Sequence, residues 1–81
     1  MHYRNGREAK NGDKVIQLSM DETGRIMSAG VLFDAQQGSG DYCNGSLAPL
    51  NGNTGACLID CIHVEDIEAM IKEKGFAKRP V

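Results

Sequence analysis

Between residues 57 and 71 the chain changes its hydrophobic period, and that change limits the folds open to it. Cys57, Ile59, Cys61 and His63 alternate with Leu58, Asp60, Ile62 and Val64, the two-residue period of a strand. Val64, Ile67, Met70 and Ile71 then recur at helical spacing. Glu65, Asp66 and Glu68 load the first turn of that helix and Lys72 and Lys74 its last, as the helix dipole favours. Gly75 stops it, with Phe76 placed to fold back onto Ile71 in a Schellman cap. Both faces of the strand are mostly apolar. It is therefore expected to lie extended between two layers, a barrel interior on one side and the C-terminal helix on the other, and to coil up near Glu65.

The same segment carries two of the three cysteines and one of the two histidines. At ~3.3 Å per residue in a strand, Cys57 and Cys61 stand about 13 Å apart. Two thiolates on one zinc each lie ~2.3 Å from the metal, and a disulfide needs Cα atoms within roughly 7 Å. An extended segment therefore excludes both. A continuous helix would bring the two sulfurs onto one stripe, which keeps a small zinc-stabilised domain of Cys43, Cys57, Cys61 and His63 as an alternative. The expectation is reduced cysteines acting as small hydrophobes, with no metal, no cofactor and no catalytic residues. A Cys-His pair of Cys43 or Cys61 with His63 or His2 needs an activating environment that a sequence does not show, and "GSGDYCNG" is not followed by a helix that could cradle phosphate.

Upstream, Asn-Gly at 5–6 marks a hairpin in "HYRNGREA" and Asn-Gly at 11–12 a second turn. "KVIQLSM" then alternates, with Ile16, Leu18 and Met20 expected on the buried face and Gln17 and Ser19 on the wet one. "DETGR" has turn composition, and "IMSAGVLFDA" reads as a strand in which Gly30 marks a bulge or sharp bend. Residues 36–56 are rich in Gly, Asn and Ser and read as two loops framing one short strand. Tyr3, Phe33, Tyr42 and Phe76 are too scattered for a base-stacking platform and are expected to pack. The sum is one domain over residues 1–81 with a frayed basic tail at 77–81. It is mainly β with one C-terminal helix, an antiparallel barrel or curved sheet of four to five strands.

With 81 residues, two Tyr, two Phe and no Trp, the core must be thin and mostly aliphatic. The N-terminus is too polar for a signal peptide and no apolar run approaches the ~20 residues that span a bilayer. A cytoplasmic protein without membrane contact is expected, its odd cysteine count fitting reduced thiols. A net charge of -2 opposes indiscriminate binding to phosphate backbones. Lys and Arg stop at Arg25 and resume at Lys72, and the interval carries only acids.

"GREAKNGDKVIQL" followed by "TGRIMSAGVLFD" resembles the opening of small SH3-like barrels, and in particular is similar to the KOW pattern, through Gly12, Asp13, Val15, Gly30 and Leu32. That resemblance implies an SH3-like barrel over residues 6–34 onward. The basic loop residues that KOW domains commonly turn toward RNA are missing. Short chains with "NGDKV" near the start and "CNGSLAP" in the middle also look like accessory proteins of phages and mobile elements. The expected function is a non-catalytic binding module, a phage-type accessory protein or inhibitor of host defence, that engages a host protein with a basic surface. Its contact region is placed at Asp41, Tyr42, Asn44, Asn51 and Asn53. The alternative is a KOW-like RNA or DNA contact through Arg4, Arg7, Lys10 and Lys14. Exposed strand edges leave a homodimer open.

Overall fold

Five antiparallel strands form one sheet in the order β4-β3-β2-β1-β5, in a computed structural model that describes residues 1–40, 42–48 and 54–80. The strands are β1 (Lys14–Leu18), β2 (Ile26–Ser39), β3 (Tyr42–Ala48), β4 (Thr54–Cys57) and β5 (Cys61–His63). A 3-10 turn, Leu58–Asp60, separates the last two strands, and helix α1 (Val64–Glu73) follows at once. The mainly β reading with one C-terminal helix holds. Of barrel and curved sheet, the chain takes the open curved sheet, with β4 and β5 at its two edges. Its curvature is steep. Four strand spacings in a flat sheet would put the edges about 19 Å apart, yet the three residues of the 3-10 turn rise only about 6 Å between them.

That crossing overturns the expected continuous strand from Cys57 to His63. Cys57 ends one edge strand, Cys61 begins the other, and neither one extended segment nor one helix covers both. Leu58 is fully buried in the turn and Asp60 accepts from Arg4, so the turn is fixed at both ends by long-range contacts. The helix begins where expected, but it does not form a second layer over this segment. None of its residues is buried, and β5 is an edge strand, not a sandwiched one.

The core lies on one face of the sheet. Tyr3, Val15, Leu32, Leu47, Leu58 and Cys61 are fully buried there, with Ala9, Cys43 and Ala56 beside them. β1 turns the opposite way from expectation: Val15 and Ser19 are buried, whereas Met20 is exposed and Ile16 and Leu18 are only half-covered. Register explains the reversal. Val15 is paired with Gly30 on one side and His63 on the other, which commits the odd-numbered side chains to the core. Gly30 sits in regular pairing, and the bulge expected there falls at Gln17/Leu18 instead. Gly30 serves close approach, since a Cβ on it would meet the Ala48 backbone at 3.2 Å.

Residues 36–56, read as loops around one short strand, are largely strand: the end of β2, all of β3 and most of β4. Cys43, Gly45 and Leu47 do alternate inward, but a thiol and a hydrogen give little hydrophobic contrast to the polar residues between them. Of the four aromatics expected to pack, Tyr3 does; Phe33, Tyr42 and Phe76 are exposed. Gly12, Asp13, Val15, Gly30 and Leu32 lie close together where the turn before β1 meets β2. The Gly12 N–H donates to Leu32 O (2.7 Å), the Leu32 N–H to Asp13 O (2.9 Å), and Val15 faces Gly30. Among the described residues no helix is long and apolar enough to cross a membrane.

Candidate functional site

Tyr42 opens β3 at the tip of the β2–β3 hairpin, where the chain reverses through Gly40 with φ +57°. A Cβ on Gly38 would overlap the carbonyl oxygen of Tyr42, so this tip requires glycine. The hairpin thereby holds Tyr42 outward, 67% exposed. It borders a groove of about 700 Å³ lined also by Met20, Cys57, Ile59, Arg4, Asp60 and Glu22. Met20, 83% exposed, stands on the turn after β1. That turn is built by Asp21, whose Oδ1 accepts from the Thr23 N–H (3.1 Å) and the Thr23 hydroxyl (2.7 Å). These bonds, with the Ser19 hydroxyl, hold the Asp21 carboxyl below the usual carboxylate range. Arg4 crosses the groove wall, its Nε donating to Ile59 O (3.0 Å) and its guanidinium pairing with Asp60 (3.0 Å). The groove thus offers a thioether, a phenol and a half-buried thiol, edged by two carboxylates and one guanidinium.

Of the contact residues read from the sequence, Tyr42 and Asn44 are described and both are exposed; Asp41, Asn51 and Asn53 lie outside the described residues. The two are not brought together. Asn44 lines a separate, polar groove of about 250 Å³ with Asp34, Gln36 and Gln37. Met20, Ile59, Cys57 and the Arg4–Asp60 pair were not foreseen, because they reach the groove from segments whose neighbourhood depends on the curl of the sheet. Met20 is expected on the buried face of β1 and is exposed instead, and nothing local in the sequence gives it Tyr42 as a neighbour.

Of the four basic residues of the nucleic-acid alternative, the two arginines are engaged within the chain. Arg4 pairs with Asp60, and Arg7 reaches both Glu65 (3.0 Å) and Asp66 (3.1 Å). Asn5 also donates to Asp66 (3.0 Å), and this bond, with Arg7, holds that carboxyl below its usual range. Lys10 and Lys14 are exposed. The acids that the sequence places between the two basic ends have therefore captured the N-terminal arginines.

The cysteines do not converge. None of the three is joined in a disulfide, and Cys43 and Cys61 are buried. The Cys61 thiol faces Cys57 O at 3.6 Å, and burial, with the nearby Asp60 and Cys57 charges, pushes its pKa up to about 12. Among the described residues no group of three or more His, Cys, Asp or Glu side chains is placed to hold a metal.

His63 is instead joined to a buried cluster. Its Nδ1 accepts from the Glu65 N–H (3.0 Å), capping α1, which puts the proton of the neutral ring on Nε2, 3.5 Å from Asp13 Oδ1. Asp13 Oδ2 accepts from the Tyr3 hydroxyl (2.6 Å) and the Lys10 N–H (3.0 Å). Burial opposes the Asp13 charge, but these donors and His63 outweigh it and hold the carboxyl below its usual range. Burial, then the Asp13 carboxylate, raises the Tyr3 hydroxyl well above its own. Both imidazole nitrogens and the phenol are thus occupied in joining the N-terminal turn, β1 and the helix. Comparison with protein families, with curated proteins and with solved structures returns no match for the chain.

Proposed function

We propose that this protein is a non-catalytic binding module of the accessory or inhibitor type, which captures a partner protein in the groove beside Tyr42. The observation that carries the reading is the pairing of two large exposed side chains, Tyr42 and Met20, over one groove with an ion pair in its wall. Exposed Tyr supplies contact area at low entropic cost, and Met adapts to the shape it meets. Asp60 is answered by Arg4, so Glu22 leaves the groove one negative charge in excess, which favours a basic group on the partner. A curved five-stranded sheet is compatible with the SH3-like resemblance of residues 6–34.

The test is capture from a native lysate by the immobilised full-length chain, with Tyr42→Ala as the comparison. A Tyr at the centre of an interface is worth about 2 kcal/mol or more, on the order of a 30-fold loss in affinity on truncation. A retained protein should disappear with Tyr42→Ala and persist after nuclease treatment. Retention that survives Tyr42→Ala, or that nuclease abolishes, contradicts the reading.

A further inference from the structure

The sheet has a second face, and it is apolar. Register places Ile62, Ile16 and Ala29 in one row across β5, β1 and β2, and Lys14, Val31 and Ala48 in the next across β1, β2 and β3. Leu18 opposite Ile26 extends the same surface at one end and Phe33 at the other. Among the described residues no element buries it: Ile26 is 59% exposed, Val31 39% and Phe33 36%, and the main contacts of α1 with the sheet are at β5 and β1. In these rows Lys14 is the one charged side chain, and it stands at the end of its row.

We propose that a second copy of this chain covers that face, giving a two-fold dimer of sheets packed back to back. Three observations select this occupant. The curled sheet closes over its own core and leaves its outer apolar face without a covering layer, which a like sheet about 10 Å away supplies. A nearly uncharged surface offers a differently charged partner nothing to steer by, but meets its own image without like-charge repulsion. The area also fits. At about 150–250 Å² for a large apolar side chain, Ile26, Val31 and Phe33 together expose roughly 200–330 Å². The half-covered Ile16, Leu18 and Ile62 add to this, which puts the contact among the small, weak interfaces. That size corresponds to a reversible dimer.

Sedimentation equilibrium of the purified full-length chain over a wide concentration range tests this. The expected result is a shift from 8.8 kDa to twice that mass, with Val31→Lys and Ile26→Lys each raising the dissociation constant at least tenfold while keeping the wild-type circular dichroism. Should either variant misfold, isotope-filtered NOEs between labelled and unlabelled wild-type copies read the same contact directly, and are expected from the Ile26 and Val31 methyls. A monomer at every concentration overturns the proposal. So does a dimer that both folded variants preserve, or one lacking those NOEs, and so does a chain that stays monomeric while this face captures a different protein.

Discussion

Asp13 shows how one residue can decide several elements. Its carboxylate accepts from Tyr3 and from the Lys10 N–H and faces His63, which in turn caps α1. The sequence marked Gly-Asp as a turn before a strand, but not the partners, since Tyr3 is ten residues away and His63 fifty. A folded-state pKa below the unfolded value of about 3.9 means that Asp13 stabilises the fold above that pH, and that the contribution is lost as pH falls through the lower, folded value. Tyr3→Phe removes a hydrogen bond to a charged group, so a loss of about 1.5–3 kcal/mol is expected at pH 7. That is a large part of the roughly 4–12 kcal/mol available to a domain this size. The acid limb of stability should also move to higher pH. Urea unfolding of wild type and Tyr3→Phe between pH 7 and pH 2 measures both; superimposable curves would show the cluster to be inert.

At the scale of elements, what was legible was whatever a local pattern carries. The helix and its end are the clearest case: the Phe76 N–H donates to Ile71 O (3.0 Å) and the Gly75 N–H to Lys72 O (3.1 Å), as a Schellman cap requires. β1 and β2 were legible as strands, but the buried face of β1 was not. Ile16 and Leu18 outweigh Val15 and Ser19 in hydrophobicity, and the apolar outer face means that periodicity alone cannot say which side is inside. β3 and β4 were reduced to one short strand because, Leu47 apart, their inward residues are Cys43, Gly45 and Ala56, small groups that bury well and contrast poorly. The β2–β3 hairpin yields its own prediction. With no room for a methyl at Gly38, Gly38→Ala must move the tip that presents Tyr42. It should lower the melting temperature, with amide shift changes concentrated between residues 36 and 44. Wild-type shifts around Tyr42 would contradict the tip geometry.

For the molecule as a whole, the sheet sorts residues into a covered and an open side, and the thiols report on that division. Cys43 and Cys61 lie in the core and Cys57 at its margin, so an aromatic disulfide reagent should label one thiol quickly in the native chain and the other two only on unfolding. Three equal rates would contradict the core placement. The groove belongs to this scale too, because the hairpin tip, the turn after β1 and the 3-10 turn become neighbours only when the sheet curls. Tyr42 could be picked out from the sequence as a contact candidate in a polar stretch; the groove it borders could not. The most direct measurement is therefore made at that residue. A photo-crosslinking phenylalanine analogue placed at position 42 of the full chain, and separately at Lys10, is illuminated in native lysate and the adducts are identified by mass spectrometry. Protein adducts at position 42, and few or none at position 10, are the predicted result. Adducts confined to position 10, or nucleic acid in place of protein at position 42, would contradict it.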